Sequence, residues 1–234
     1  MEKDLIRNFK IEKINKDKSF FMIDEVIVEK DLNIHIKDEI IARLLISPKD
    51  IENLTIGYLY NLGYISSIDD INCIRIEDKD SYVILNTQLS KEIVYNTKIL
   101  RIKKNDLFKL SEIFQNKSEI FKRTGGAHSV GLIKDCKIVK FVEDVSRSNA
   151  VDKLIGHILK EKIDISDKFI FTSCRVNEQI IEKIEKIGFS LIVSQSSPTS
   201  RAVEIARSKD INLIGFARGE RFNIYNKNKN LIVE

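Results

Sequence analysis

Residues 169–225 read FIFTSCRVNEQIIEKIEKIGFSLIVSQSSPTSRAVEIARSKDINLIGFARGERFNIY. An apolar run, Phe169–Phe171, is followed by a helical pattern at Ile180, Ile181, Ile184 and Ile187. A second run, Leu191–Val193, precedes a helical pattern at Ala202, Val203, Ile205 and Ala206. A third run, at Ile211, Leu213, Ile214 and Phe216, closes the stretch. Short β-rich runs alternating with amphipathic helices predict a βαβαβ unit, hence a parallel or mostly parallel sheet. Such sheets hold ligands at the carboxyl ends of their strands, where helices begin.

Three of these strand ends carry polar clusters. The first is Thr172-Ser173-Cys174-Arg175, with Asn177 as helix N-cap. The second runs from Ser194 through Ser196, Ser197, Pro198 and Thr199 to Arg201; here Ser197 is the expected cap and Pro198 the first helical residue. The third is Phe216-Ala217-Arg218-Gly219-Glu220-Arg221. Two helix N-termini, several hydroxyls and four arginines on one edge suit a phosphate or pyrophosphate group. Ordinary capping with surface arginines is the plainer alternative.

Outward from this stretch, the 234 residues suffice for one domain or two closely packed subdomains. A hydrophobic share of 43% and a charged share of 32% are those of a soluble globular protein. No apolar run is long enough to span a bilayer, and the start, MEKDLIRNFK, lacks the apolar core of a signal peptide, so a cytoplasmic location and no membrane partner are expected. The net charge of +4 is too small to argue for nucleic acid. The three cysteines, Cys73, Cys136 and Cys174, are scattered, which argues against a disulfide framework. The histidines His35, His128 and His157 form no ligand spacing with them, so no metal site is expected.

Residues 20–46 read as strands, with Asp31-Leu32-Asn33 as the turn. A helix follows, with Ser47 as N-cap, Pro48 at its first position and Gly63 near its end. Ile71–Ile76 and Tyr82–Leu85 return to strands, and Asp106 to Phe121 is helical. The expected organisation is an N-terminal α+β subdomain, residues 1–104, and a C-terminal α/β subdomain, residues 105–234, in direct contact. The tail from Asn226 onward is short and mostly polar, and little is expected of it.

Two further clusters lie between. Thr124-Gly125-Gly126-Ala127-His128 joins a helix to a strand, and its glycines permit a tight turn or a close approach to a ligand. A simple turn with a locally bonded histidine is the plainer reading. Glu143-Asp144-Val145-Ser146-Arg147-Ser148-Asn149 joins a strand to a helix beginning at Val151, with Ser148 or Asn149 as cap. Its charged residues either fix the turn or recognise a polar ligand; both readings are open.

These blocks, in order, resemble the FdhD/NarQ family, the formate dehydrogenase accessory sulfurtransferases. The resemblance is carried by Ser47-Pro48-x-Asp50 through Gly63, Thr124-Gly125-Gly126-x-His128, Val142-Glu143-Asp144-Val145-x-Arg147-x-Asn149-Ala150-x-Asp152-Lys153, Ser173-x-Arg175, Ser194-x-Ser196-x-Pro198-Thr199-Ser200, and Gly215-Phe216-x-Arg218-Gly219-x-Arg221-Phe222-Asn223-x-Tyr225. It implies a cytidine-deaminase-like α/β sandwich without zinc, in a cytoplasmic homodimer. It further implies binding of the molybdenum bis(molybdopterin guanine dinucleotide) cofactor, and transfer to it of sulfur from a cysteine desulfurase for the benefit of formate dehydrogenase. The family's cofactor segment corresponds to Phe216, Ala217, Arg218, Gly219, Glu220 and Arg221. Ser173, Arg175, Ser194, Ser196, Thr199, Thr124, Gly125, Gly126 and His128 are expected around the same pocket.

The chain departs from the family pattern at its chemistry. The CGxCG loop that precedes TGGxH in typical members, and whose first cysteine carries the persulfide, has no cysteine here: none occurs in Lys91–Arg123. Leu62 replaces a Glu, Ser148 a His, Gln179 a Glu and Cys174 a Gly. Cys174, ahead of a helix N-terminus and beside Arg175, is the candidate replacement sulfur carrier, since both neighbours would lower a thiol pKa; a small residue filling a turn is the plainer reading. With sulfur transfer in doubt, a cofactor-binding chaperone is the alternative. An enzyme acting on a small nucleotide through His128 and Glu143 or Asp144 is another.

Overall fold

The computed structural model describes residues 5–87 and 98–234. In chain order the elements are β1 (Ile6–Ile14), β2 (Ser19–Ile27), β3 (Lys30–Ile36), β4 (Glu39–Ile46), α1 (Ile51–Leu62), β5 (Ile71–Glu77), β6 (Asp80–Leu85), β7 (Leu100–Ile102), α2 (Lys104–Gln115), α3 (Glu119–Thr124), β8 (His128–Lys134), β9 (Lys137–Asp144), α4 (Arg147–Lys160), β10 (Phe169–Thr172), α5 (Glu178–Ile187), β11 (Leu191–Ser194), α6 (Ser200–Ser208), β12 (Asn212–Gly215), β13 (Asn223–Asn226) and β14 (Leu231–Val233).

The expected βαβαβ unit is present. β10, β11 and β12 run parallel in a six-stranded sheet of order β13-β12-β11-β10-β8-β9, whose other pairs are antiparallel. The three central strands are buried on both faces, which is why they read as unbroken apolar runs. Alternation sends Phe169, Phe171, Leu191, Val193 and Ile214 into one cluster with Leu107, Leu110 and Phe114 of α2. Ile170, Ile192 and Leu213 face the other way, into a cluster with α4, α5 and α6. The result is the expected α/β sandwich, with Phe114 and Phe171 in tilted ring contact at 4.6 Å.

A four-stranded sheet of order β4-β3-β6-β5 packs through Leu32, Ile34 and Val83 onto the same cluster as α1, α4 and one face of the larger sheet. This core draws residues from both sides of residue 104. Where α1 meets α4, a Cβ on Gly57 would overlap the Asp152 carbonyl oxygen, and one on Gly156 would overlap that of Asn53. The two glycines let the helix backbones touch.

Several local expectations are corrected. Asp31-Leu32-Asn33 lies within β3; the reversal is at Lys37, whose φ is 55°. Ser47 does not cap α1: Asp50 occupies that position with φ 54°, and Pro48 lies outside the helix. The Ser47 hydroxyl instead accepts from the Val145 N–H at 3.0 Å. The helix expected over Asp106–Phe121 is two, because Ser118 starts α3 by accepting the Phe121 N–H at 2.9 Å. Ser148 and Asn149 lie inside α4, which starts after Ser146. Asn177 caps α5 as expected, but Thr199, not Ser197, caps α6. The tail is not idle: β14 pairs parallel with β7, and Leu231 is buried.

Candidate functional site

Sheet direction decides which residues meet. β8 runs antiparallel to β10, and β9 antiparallel to β8. The start of β8 and the end of β9 therefore lie at the edge where β10, β11 and β12 end. A cleft of about 280 Å³ opens there. His128, Ser173, Ser196 and Arg218 line it, with Ser129 and Gln195 between.

The walls are tied together by backbone and hydroxyl bonds. The Ser129 N–H donates to Ser173 Oγ at 3.0 Å, and the Ser173 N–H donates back to the Ser129 carbonyl at 3.0 Å. Ser194 Oγ donates to the Cys174 carbonyl at 2.6 Å and accepts the Ser196 N–H at 2.9 Å. The Phe216 N–H donates to the Ser196 carbonyl at 3.0 Å, and the Ala217 N–H to that of Ser194 at 2.9 Å. Ser111 of α2 fastens the last loop: its hydroxyl donates to the Ala217 carbonyl, and its own carbonyl accepts Gln195 Nε2 at 3.0 Å. Phe216 holds φ 53°, a conformation unusual for an aromatic residue. It turns the chain so that Arg218 reaches the cleft. Gly215 has no space for a Cβ between Tyr225, Pro198 and Ser196.

The electrostatics are cationic at the rim. Burial pushes the His128 imidazole below its ordinary pKa; Arg147 and Arg175 add to this, and Asp144 opposes it. Glu143 is pushed up by burial, while Ser118 and Ser129, which bond its carboxylate and line the cleft, hold it down. Of the four arginines expected on this edge, Arg218 lines the cleft and Arg175 is exposed near it. Arg201 is drawn to Glu178 at 3.1 Å. Arg221 is exposed, and its carbonyl accepts the Arg218 N–H at 3.3 Å.

Other expected residues serve local roles. Thr124 Oγ1 donates to the Ile120 carbonyl and accepts the Gly126 N–H, while Gly125, at φ 67°, ends α3. Thr199 caps α6. Gly219 and Glu220 flank a different hollow, beside α2. The Glu143–Asn149 cluster divides: Asp144 is fully buried against Lys153 at 2.7 Å and accepts the N–H groups of Ser47 and Ser146 and Asn149 Nδ2. That part fixes the turn, and Asp144 is not available as an acid–base group. Among the described residues, no group of three metal-binding side chains occurs.

Cys174 does not have the surroundings expected of a carrier. It is 2% exposed, and burial pushes its thiol up. Its N–H donates to Thr172 Oγ1, so the residue packs beneath the cleft while Ser173 faces it. Gln195 lies within the second strand-end cluster, whereas Ser118 and Ser129 are not marked by the sequence. Their positions depend on contacts between elements far apart in the chain, so no local motif marks them.

The model of the FdhD/NarQ family matches residues 27–99 and 86–232. The chain belongs to the FdhD/NarQ family. Relatives bearing the name sulfur carrier protein FdhD include one from Saccharolobus solfataricus, 32% identical over 94% of this chain and 96% of its own. Others come from Shouchella clausii, 26% identical over 96% of both chains, and Staphylococcus aureus, 29% identical over 99% and 98%. The fold matches a crystal structure from Desulfotalea psychrophila, assigned to a formate dehydrogenase accessory protein, with TM-score 0.85, 24% identity and coverage of 97% and 100%. Against the FdhD/NarQ pattern, three departures of this chain meet in space. Leu62, Ser148 and Gln179 all line a second cleft of about 290 Å³ between α1, α4 and α5. Beside them Lys183 pairs with buried Asp152 at 2.6 Å and with Ser148 Oγ at 2.8 Å.

Proposed function

We propose that this chain is a formate dehydrogenase accessory protein that binds the guanine-dinucleotide molybdenum cofactor by its phosphates at the β10–β12 edge, as a chaperone and without relaying sulfur through a thiol of its own. The carrying observation is the convergence of His128, Ser173, Ser196 and Arg218 on one cleft at the carboxyl ends of parallel strands. The donor set fits a dinucleotide's anionic centre: one guanidinium in the cleft, hydroxyls from two strand ends, and the cations Arg147 and Arg175 nearby. The molybdenum centre supplies the redox chemistry of the client enzyme; this chain's residues bind and orient the phosphates. Arg218 pairs with phosphate oxygens, Ser173 and Ser196 donate hydroxyl hydrogens, and His128 stays neutral until an anion is beside it. The family's desulfurase partner would find no exposed thiol in this cleft: Ser173 faces it, and Cys174 is covered.

A nucleotide-processing enzyme is less well supported. Asp144 is locked to Lys153, which leaves only Glu143, itself bonded to two serines.

Calorimetric titration with guanosine diphosphate and with the dinucleotide cofactor tests the reading. Binding is expected for wild type, with Kd raised roughly 10- to 100-fold in Arg218→Ala, the effect of losing about 1.5–3 kcal/mol from a hydrogen bond to a charged group. Absence of binding by either ligand, or equal binding by the variant, would remove the cleft as the site. Turnover of the free nucleotide would favour the enzyme reading.

A further inference from the structure

Glu143 stands beside the cleft with half of its carboxylate uncommitted. It is the direct cross-strand partner of Ser129, and such partners share one face of a sheet. Phe141, two residues earlier and so on the same face, meets the Phe114 ring of α2 at 5.1 Å. Phe114 and Ser129 both line the cleft. The half-buried Glu143 side chain therefore lies on the cleft side of the sheet.

Ser118 Oγ and Ser129 Oγ both donate to one of its oxygens, Oε1, the second at 3.4 Å. Among the described residues Oε2 takes no hydrogen bond, and it is open to solvent. Fixing two serines does not require a charge. A glutamine's amide oxygen would accept both hydroxyls without the cost of half-burying a carboxylate. The charge and the second oxygen are left for a ligand. Phe121, which also lines the cleft, is 49% exposed and offers a flat apolar surface nearby. Arg218 follows β12 and Glu143 ends β9, and three strands lie between those two in the sheet. A ligand that reaches both is extended, with an anion at one end and N–H donors at the other.

Resting on the cofactor-binding reading above, we propose that Glu143 selects the base of the bound nucleotide. Oε2 accepts the ring N–H and the amino group of a guanine-type edge, Phe121 stacks on the ring, and Arg218 holds the phosphates. The selection follows from polarity. A carboxylate only accepts, so it favours an edge of donors and rejects adenine, whose ring nitrogen presents a lone pair there.

The test is calorimetric titration of the full chain with guanosine, inosine and adenosine diphosphates, for wild type, Glu143→Gln and Arg218→Ala. Wild type is expected to bind the guanosine compound at least tenfold more tightly than the adenosine compound. Inosine diphosphate, which lacks the amino group, should fall between. Glu143→Gln keeps an oxygen for the serines and turns an N–H₂ group to the ligand. Its affinity for guanosine diphosphate should drop tenfold or more, and that for adenosine diphosphate should not, so the preference disappears. Arg218→Ala should weaken all three by a similar factor. The preference is a ratio within one protein, so a partly unfolded variant does not mimic its loss. Equal binding of the three compounds by wild type, or an unchanged preference in Glu143→Gln, would overturn the assignment while leaving the cleft as a phosphate site. Binding of none of them by wild type would remove the cleft as the site, and the assignment with it.

Discussion

His128 begins β8 at the mouth of the cleft, where burial and the charges of Arg147 and Arg175 all disfavour its protonation. The unfolded chain takes up this proton as pH falls through about 6.5; the folded chain does so only at lower pH. The stability tied to His128 is therefore complete above about pH 6.5 and is lost as pH falls below it. His157 is also held low and contributes in the same direction, so the comparison must isolate one residue. Denaturant unfolding from pH 8 to pH 5 should show a smaller acid-side loss for His128→Gln than for wild type; identical slopes would remove His128 as a source. At this scale the sequence carried part of the site. Ser173, Ser196 and Arg218 were legible because each follows a strand of the βαβαβ pattern, and a parallel sheet brings such strand ends to one edge. The burial of Cys174 was not legible, because position along the chain gives no side-chain direction: the turn after Thr172 brings Ser173 to the cleft and buries its neighbour. Arg201 was misread because its Glu178 partner lies on another helix.

At the scale of elements, α1 and α4 show what periodicity can and cannot reveal. Both helices were legible in the sequence, α4 from Val151 onward. Their close crossing was not, because a glycine inside a helix signals only a local cost until its neighbour is known. Here Gly57 faces the Asp152 carbonyl and Gly156 that of Asn53, so a methyl at either position meets backbone, which cannot turn aside as a side chain can. Gly57→Ala and Gly156→Ala should each gain helix propensity yet lose stability, by about 1–3 kcal/mol from overpacking. Thermal melting checks this: a lower Tm for both, against an unchanged or higher Tm if the helices separate without penalty. The β10–β12 strands were read correctly for the opposite reason. Buried on both faces, they need apolar residues throughout, and the chain states that directly. Caps moved by two or three residues because serine, threonine and aspartate compete for the same role. At Ser47 the side chain was taken by a contact to Val145, almost a hundred residues away.

For the whole molecule, the question is where sulfur could be held. A persulfide forms on a thiolate that can be reached. The chain has three cysteines. Cys174 is covered, with its thiol pushed up by burial. Cys136 is half-buried, and burial together with Asp106 and Asp135 pushes its thiol up to about 11, so little of it is ionised at neutral pH. Cys73 is exposed, but it stands on β5, the edge strand of the four-stranded sheet, and lines neither cleft. The fold thus gathers Arg218 and the strand-end hydroxyls at the β10–β12 edge and places its thiols elsewhere. Intact-mass measurement after incubation with a cysteine desulfurase and cysteine should accordingly show, at most, one sulfur added to wild type. Cys73→Ser should abolish that addition, and Cys174→Ala should leave it unchanged. Because the two variants differ in which surface loses its thiol, the opposite pattern is equally readable. Sulfur retained in Cys73→Ser and lost in Cys174→Ala would mean that the loop beneath the cleft opens to the donor, and Cys174 would then be the carrier.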